Sequence, residues 1–328
     1  KAWESRKPVG VSWALGHAVV GHNRRAVYAD GTAKMYGSTN TPGFRSIEGY
    51  EDHGVEVLFF WDQDEKLTAI TINVACPSQE VESRSAVNAD FWHDVRVELR
   101  QRYGEDLYVL GWAGAAGDQS PHLMWRKAAE ERMRKLRDLT RTEEIARRIV
   151  NAVDDVLPLA KSDIRTDVIM AHHVEQIELP VRKVTEEELA QAKAKVEQYA
   201  SKPNPSSADV RRRKWHQAVV DRHQKQDAEP TYAMELHVIR LGDVAIATNP
   251  FELFLDFGIR IKAQSKAVQT FLIQLACTSG IYVATEKAVE GGGYSAIIES
   301  NLVGPEGGQV LVDRTVAAIN SIMGSERQ

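Results

Sequence analysis

The stretch "VEVLFFWDQDEKLTAITINVAC", residues 55–76, predicts the centre of the fold. Its two apolar, β-branched runs, residues 55–62 and 67–76, have the composition of strands that are buried in a sheet. The polar tetrapeptide "QDEK" separates the two runs and suits a short connection between them. We therefore expect a β-hairpin that enters the core of a sheet.

The sequence on either side of this hairpin mixes strand-like and helix-like segments. The strand-like segments are 107–112, 167–181, 234–242, 243–250 and 269–277. The helix-like segments are 88–104, 122–138, 141–157, 185–201, 208–226, 251–263 and 308–323. Residues 1–50 are rich in Gly, Pro and Asn, which predicts irregular structure with short strands. This mixture predicts an α/β or mixed α+β class, with a mixed β-sheet core flanked by helices.

The composition narrows the range of functions before any motif is considered. The chain has 328 residues, of which 43% are hydrophobic and 27% are charged, as in a globular protein. Its net charge of −5 provides no general attraction to nucleic acid, and the basic run "RRRKWH" (211–216) is interpreted as a solvated helix face. No apolar run approaches the roughly 20 residues that span a bilayer. We expect no nucleic-acid partner and no transmembrane segment, and the oligomeric state is unknown from the sequence.

The cysteine content gives little information about the compartment. Two cysteines, Cys76 and Cys277, are too few for a disulfide framework. One bridge between them and two free thiols are both compatible with the sequence, and the general preference of cysteine for burial favours free thiols. The start of the chain shows no signal-like segment, so the compartment is not readable from it.

Polar side chains follow the ends of several predicted strands, where α/β sheets commonly form a binding cleft. These groups are Asn23-Arg24-Arg25, Cys76-Pro77-Ser78, Asp118-Gln119-Ser120-Pro121, Asn249-Pro250-Phe251-Glu252 and the segment 282–294. Each also has an ordinary structural interpretation. Glu252 would complement a helix dipole one turn into a helix, Asp118 would form a turn, and Ser120 would start a helix. Tyr282 and Tyr294 would be core or rim aromatics, and these residues alone do not indicate one reaction.

Taken in order, the segments resemble the catalytic domain of the neutral/alkaline, non-lysosomal ceramidases and their bacterial relatives. "GDQSPH" resembles the family's Gly-Asp-x-Ser-Pro-Asn segment, which carries the catalytic serine, here Ser120. "NRR" resembles the family's Asn-Arg-Ser and identifies Arg24 as the active-site arginine. "NPFE" resembles the stretch whose Pro-x-Glu supplies a zinc-binding glutamate, here Glu252. "YVATEKAVEGGGY" resembles the segment in which a first tyrosine, Tyr282, binds zinc and a second, Tyr294, faces the substrate.

The resemblance implies a zinc-dependent hydrolase that cleaves the amide bond of a lipid-derived or other small N-acyl substrate. Such an enzyme would belong to sphingolipid metabolism and would be secreted or periplasmic. Zinc with an open coordination position lowers the pKa of bound water to about 7 and polarises a carbonyl group. Arg24 and Tyr294 would donate to the developing oxyanion, and Ser120 would either attack the carbonyl or position the scissile group.

The same resemblance predicts how the site is arranged in space. Glu252 and Tyr282 are expected to converge within reach of one metal ion. Ser120 is expected at the mouth of the same cleft. Asp118 is expected to turn into the protein and to brace the loop that carries the serine.

The chain departs from the family pattern at the histidines that complete the zinc site. It has no Thr-His-Thr-His-like motif, and "ACPSQ" places Cys76 where the family has its second histidine. Catalytic zinc usually has three protein ligands, and thiolate is a good one. We expect the third ligand to come from Cys76, from His53 or from residues upstream of Lys1. We therefore expect this chain to hold zinc weakly or not at all.

The resemblance also implies a domain organisation. We expect one ceramidase-like catalytic domain over residues 1–328 that lacks its N-terminal part. The charged helical pair at 185–226 is interpreted as an insertion in this domain. The family's Ig-like C-terminal domain is expected to be missing.

Two functions from different classes remain open at this point. The first is an amide hydrolase that acts on a ceramide-like or a carbohydrate-linked substrate, where Trp112 would offer a stacking surface beside the serine turn. The second is a non-catalytic binding or scaffold protein that kept the fold and lost its metal site. Metal content and turnover distinguish them.

Overall fold

The computed structural model describes residues 3–324 and shows a mixed α+β architecture. Its longer strands are β1 (Gly10–His17), β6 (Gly54–Trp61), β7 (Leu67–Val74), β8 (Tyr108–Ala113), β10 (Met170–Pro180), β11 (Thr231–Leu241), β12 (Val244–Thr248) and β14 (Gln269–Ile273). Its short strands are β2 (His22–Asn23), β3 (Arg25–Tyr28), β4 (Ala33–Met35), β5 (Phe44–Ile47), β9 (Gln119–Ser120), β13 (Glu252–Leu253) and β15 (Tyr282–Val283). The α-helices are α1 (Phe91–Tyr103), α2 (Lys127–Leu136), α3 (Arg141–Lys161), α4 (Glu186–Ala200), α5 (Ser207–Lys225), α6 (Leu255–Gln264), α7 (Glu286–Gly291) and α8 (Pro305–Gly324), and a 3₁₀ helix spans Ile298–Ser300.

The first large sheet has the strand order β1-β6-β7-β8 and contains the predicted hairpin. β6 and β7 pair antiparallel, with Val55 opposite Val74, and β8 runs parallel to β7. β1 pairs with β6 along all eight of its residues, although residues 1–50 predicted only irregular structure and short strands. Gly16 weakens the strand signal of this segment. Packing requires that glycine, because an added Cβ would lie 2.7 Å from the carbonyl oxygen of Ala152 in α3.

The second large sheet has the strand order β10-β11-β12-β14. β10, β11 and β12 are antiparallel neighbours, and β14 runs parallel to β12. A short turn at Gly242-Asp243 connects β11 to β12, between the predicted strand segments 234–242 and 243–250. Asn73 of the first sheet reaches across and exchanges two hydrogen bonds with the backbone of Leu272, at 2.8 and 3.3 Å. This side chain joins the two sheets at the outer edge of β14.

The two sheets pack face to face, with helices on both outer surfaces. One apolar core lies between the first sheet and helices α1 and α3, and a second lies between the second sheet and helices α6 and α8. A third, smaller core fills the space between the sheets, where Val11 and Leu58 meet Val244 and Phe271. The order of layers is therefore helix, sheet, sheet, helix, which confirms the predicted class of sheets flanked by helices.

Two predicted helix starts are wrong in a way that matters for the site. α2 begins at Lys127 rather than at residue 122, and α6 begins at Leu255 rather than at residue 251. Glu252 consequently lies in the short strand β13 and not in the first turn of a helix. The charged pair α4 and α5 forms close to its predicted bounds. Within residues 3–324, no helix is long and apolar enough to span a membrane.

Candidate active site

The serine turn is held against the segment that carries the two arginines. β8 leads into residues 114–118, and β9 follows and pairs antiparallel with β2, which places His22 opposite Ser120. The backbone N–H of Arg24 donates to the carbonyl oxygen of Asp118 at 2.9 Å. Two segments that are almost 100 residues apart in sequence therefore form one small ladder.

Gly117 brings this ladder close to the strand that carries Glu252. Its N–H donates to the carbonyl oxygen of Leu253 at 2.8 Å. A Cβ at this position would lie 2.2 Å from the carbonyl oxygen of Glu252, so only glycine permits the approach. β13 in turn pairs parallel with β15, with Glu252 opposite Tyr282.

This pairing brings Glu252 and Tyr282 side by side, as the sequence predicted for two ligands of one site. The Glu252 carboxylate is close enough to the Tyr282 hydroxyl to influence its ionisation. Burial raises the pKa of Tyr282 well above its ordinary value, and the neighbouring carboxylate adds to this effect against the opposing charge of Arg24. Tyr282 is therefore a neutral phenol at physiological pH.

Arg24 lies at the centre of the assembly. It is 3% exposed, and its guanidinium donates to the hydroxyls of Tyr36 and Tyr282, both at 3.2 Å, and to the carbonyl oxygen of Gly117 at 2.9 Å. Burial opposes the charge, but the two tyrosine oxygens outweigh that effect and raise the pKa of Arg24. Its Nε is buried and has no hydrogen-bond partner among the described residues. This N–H is therefore free to donate to an acceptor from outside the chain.

Ser120 is fully buried, and the prediction that it lies at the mouth of a cleft is wrong. Its Oγ lies 3.0 Å from the Tyr36 hydroxyl, 3.3 Å from Nε2 of Gln79 and 3.1 Å from the backbone nitrogen of His122. The short ladder with β2 draws the serine inward, and the partly exposed side chains of Tyr36 and Gln79 cover it. Ser120 therefore lies one side chain below the surface, and Tyr36 separates it from solvent.

Asp118 faces the interior and holds three segments together. One carboxylate oxygen accepts a hydrogen bond from the Asn23 amide at 2.8 Å, and the other accepts one from the backbone N–H of Leu255 at 2.9 Å. Burial raises the pKa of this carboxyl. The geometry is that of a residue that positions the serine turn relative to β2 and to the start of α6.

Tyr294 lies at the rim of the assembly. Its side chain is 49% exposed, and its ring meets the ring of Tyr282 edge-on at 5.9 Å. The other side of the ring faces Trp215 of α5 at 6.0 Å. The charged helical pair therefore contributes to the edge of the site, although the exposed part of "RRRKWH" remains a solvated helix face.

The described residues do not fit a catalytic zinc ion. Among residues 3–324, no group of three His, Cys, Asp or Glu side chains is arranged to hold a metal. Burial raises the pKa of the Cys76 thiol well above its usual range, and Asp90 and Glu80 add to the effect, whereas zinc binds the thiolate. His53 instead lies 3.5 Å from a carboxylate oxygen of Glu51.

The surroundings of the Glu252 and Tyr282 side-chain oxygens also argue against a metal ion bound between them. The guanidinium of Arg24 lies 3.2 Å from the Tyr282 hydroxyl, so a cation of the chain already neighbours one of the two proposed ligands. Burial raises the pKa of Tyr282, which keeps it a neutral phenol rather than the phenolate that a metal ion prefers. The zinc site that the resemblance implied is therefore not assembled by the residues that the structure describes.

Two polar residues of the site were not found from the sequence, namely Tyr36 and Gln79. Both lie in segments without a recognisable motif, and both contact Ser120. Tyr36 has a positive φ of 53°, which is uncommon for a residue with a side chain. This conformation points its hydroxyl between Ser120 and Arg24, and no sequence pattern encodes it.

Comparison with solved structures shows that the chain has a known fold. The chain is similar to the neutral ceramidase from Pseudomonas aeruginosa, with a TM-score of 0.62 and 15% identity over 98% of this chain and 54% of that chain. It is equally similar in TM-score, 0.62, to a ceramidase complexed with C2, with 12% identity over 96% of this chain and 54% of that chain. The chain thus spans about half the length of these structures. No protein-family model and no curated protein sequence matches it. At these identities the comparison shows the fold alone, and it confirms the predicted ceramidase-like fold.

Proposed function

We propose that this chain is the hydrolytic core of an enzyme that cleaves the amide bond of an N-acyl substrate. The observation that carries the proposal is the convergence of Arg24, Tyr36, Ser120, Glu252 and Tyr282 from separate segments onto one buried network. A fold shared with ceramidases supports the same reaction class. A ceramide-like amide is the first substrate to test, and an amide linked to a carbohydrate is the second.

Arg24 has the central role in the proposed mechanism. Its unpartnered Nε donates to the carbonyl oxygen of the amide, and the fixed positive charge stabilises the oxyanion as it develops. Tyr294 adds a second donor from the rim. Ser120 becomes accessible when Tyr36 moves away, and it then attacks the carbonyl or holds the scissile group. If it attacks, its Oγ forms an ester with the acyl group, the amide C–N bond breaks and the serine proton leaves on the amine. Water then hydrolyses the ester to the free acid and restores the serine.

Zinc is not part of this proposal, because the described residues offer too few ligands for it. Glu252 and Tyr282 supply two oxygen atoms at most, and catalytic zinc usually has three protein ligands. Among residues 3–324, no group of three His, Cys, Asp or Glu side chains completes such a set. The proposed roles of Arg24 and Ser120 do not depend on the metal.

The test is an assay of amine release from N-acylsphingosine and from N-acylated sugars. It is run in chelating buffer and again with added zinc, and Ser120→Ala is the matched variant. We expect release by the chain and a loss of about 100-fold or more in Ser120→Ala without loss of folding. An acyl-enzyme trapped by acid quench and detected by mass spectrometry assigns the attack to Ser120. No release under either condition contradicts the proposal.

The second candidate function is a binding protein without turnover. It is favoured by the full burial of Ser120 and by the incomplete set of metal ligands. Such a protein would bind N-acyl compounds at Arg24 and leave them intact. Binding without amine release distinguishes it from the hydrolase.

The finer assignments belong to the same proposal. They are a role in sphingolipid metabolism and a secreted or periplasmic location. Both depend on the likeness to ceramidases and on the outcome of the substrate assay.

A further inference from the structure

A cleft of about 570 Å³ opens directly beside the buried serine. Its two walls are residues 36–40 and residues 122–127, and the hydroxyl of Thr39 ties them together through a 2.9 Å hydrogen bond to the carbonyl oxygen of Met124. Tyr36 and His122 line the cleft, and both contact the Oγ of Ser120. A ligand in this cleft is therefore separated from the serine by one side chain.

The permanently charged side chains that line this cleft are all positive. Arg126 and Lys127 line it, and no Asp or Glu does. Among the described residues, neither cation has a carboxylate within ion-pair distance. Cations nearby are paired: Arg134 with Glu131, Arg141 with Glu80 and Arg148 with Glu130. The two unpaired charges thus give the cleft a positive potential that would attract an anion.

Carboxylates also lie on the far side of both cations, because Lys127 lines a neighbouring pocket with Glu80 and Glu131, and Arg126 lines another with Glu130 and Glu144. Each of these acids pairs with a different arginine, in the order Arg141, Arg134, Arg148 and Arg147. Glu80 and Glu82 lie 3.7 and 3.4 Å from the ring nitrogens of His122, outside the cleft. They engage the histidine, and Glu80 also pairs with Arg141. Because these acids engage His122, the cations of the cleft that remain available to an anion are Arg126 and Lys127.

The remaining lining suits a headgroup with an apolar part. Trp125 is 50% exposed, and the guanidinium of Arg126 stacks over its ring at 4.0 Å. The stack presents the edge of the guanidinium, where its N–H donors lie, next to an aromatic surface. Ser38, Thr39 and Asn40 add hydroxyl and amide groups on the opposite wall.

We propose that the substrate carries an anionic headgroup, a carboxylate or a phosphate, and that Arg126 and Lys127 bind it in this cleft. The headgroup then lies on Trp125, and the amide of the substrate reaches the position between Tyr36 and Arg24. This inference rests on the proposed function, because it names the substrate class of the same site. It separates this chain from an enzyme that takes only neutral N-acyl lipids.

The test compares three ligands that share one acyl chain and one amide. They are N-lauroylglycine with a carboxylate, N-lauroyl-phosphoethanolamine with a phosphate and N-lauroylethanolamine with a neutral hydroxyl. Binding is measured by calorimetry below the micellar concentration of each compound. The variants are Arg126→Gln and Lys127→Gln, and the matched control is Arg132→Gln, an exposed cation of the same helix that does not line the cleft.

We expect at least one anionic ligand to bind about tenfold or more tightly than the neutral one. Each cleft variant should remove most of this preference, and Arg132→Gln should retain it. The ligand that shows the larger preference identifies carboxylate or phosphate as the headgroup. Equal affinities for all three compounds overturn the inference, as does a preference that survives both cleft variants.

The outcome is separable from that of the proposed function. Binding is read without turnover, so an anion preference without amine release supports this inference while it contradicts the hydrolase. Hydrolysis of neutral and anionic amides with equal kcat/KM supports the hydrolase and overturns this inference. Circular dichroism of each variant verifies that it is folded before its affinity is compared.

Discussion

Arg24 and Arg25 are neighbours in sequence, both are buried, and they have opposite surroundings. Arg25 is 0% exposed and forms a bidentate ion pair with Glu48, at 2.6 and 3.0 Å. It also donates to Ser295 and to the carbonyl oxygens of Ala288 and Gly292. Arg24 contacts two tyrosine hydroxyls and one carbonyl oxygen, and its Nε has no partner.

The difference supports the proposal that Arg25 has a structural role and Arg24 a functional one. The charge of Arg25 is compensated by a carboxylate and each of its three side-chain nitrogens has a partner, so its contacts hold β3 against the segment that follows α7. The charge of Arg24 has no carboxylate partner among the described residues, and one donor is left open. Successive residues of an extended chain point to opposite sides, which is why two adjacent arginines reach different environments.

The largest effect on stability is expected for Arg25→Met. The substitution leaves the Glu48 carboxylate buried without its partner, which costs about 3–5 kcal/mol in comparable sites. Urea unfolding followed by circular dichroism measures the loss. A change below about 1 kcal/mol would show that Arg25 is not the structural member of the pair.

The next largest effect is expected for Asp118→Ala, which removes the carboxylate that links the serine turn to Asn23 and Leu255. Two buried donors lose their acceptor, and the expected loss is about 2–3 kcal/mol. Since burial raises the pKa of Asp118, its contribution to stability is full below the unfolded pKa of about 4 and declines as the pH rises through the folded pKa. Asp118→Ala should therefore cost more at pH 5 than at pH 8. A loss that grows towards pH 8 would mean that the pKa of Asp118 is lowered in the fold.

A small effect on stability is expected for Arg24→Met. The hydroxyl of Tyr36 keeps other partners, the hydroxyl of Tyr282 stays beside the Glu252 carboxylate, and an incompletely bonded cation is removed from the interior. We expect a change of about 1 kcal/mol or less, because only the carbonyl oxygen of Gly117 loses a donor. The same urea titration compares it with Arg25→Met, and equal losses in the two variants would remove the distinction between them.

The smallest effect concerns the two cysteines. Cys277 is exposed, whereas Cys76 is buried and its raised pKa keeps it a thiol. We expect one rapidly labelled thiol per folded chain with a chromogenic disulfide reagent at pH 8, none in Cys277→Ser, and two after unfolding of the original chain. Rapid labelling of Cys76 in the folded chain would instead identify an accessible thiolate beside the site.

The parts of the fold that the sequence predicted are those with strong local patterns. The hairpin at 55–76 and the charged helices α4 and α5 formed within a few residues of their predicted bounds. β1 was missed because its glycines serve close packing against the neighbouring layer, a long-range requirement that local propensity does not express. Fold class was therefore easier to predict than the complete strand order.

For the site as well, short motifs predicted some residues, whereas the placement of others depends on contacts between distant segments. The motif resemblance selected Arg24, Ser120, Glu252 and Tyr282, and the structure brings these residues together. It did not reveal that Glu252 lies in a strand, because the pairing of β13 with β15 is a contact between distant segments. Nor did it select Tyr36, whose position depends on one unusual backbone angle.

The most direct test of the central claim is the rate of amine release from N-lauroylsphingosine and from N-lauroylglycine by the chain and by Arg24→Gln, side by side. Gln keeps an N–H donor at the position of the arginine Nε and removes the charge that is proposed to stabilise the oxyanion. We predict a rate at least about 100-fold lower for Arg24→Gln, with an unfolding midpoint close to that of the original chain. Equal rates for the two proteins, or no release by the original chain, would contradict the account of Arg24 as the functional arginine.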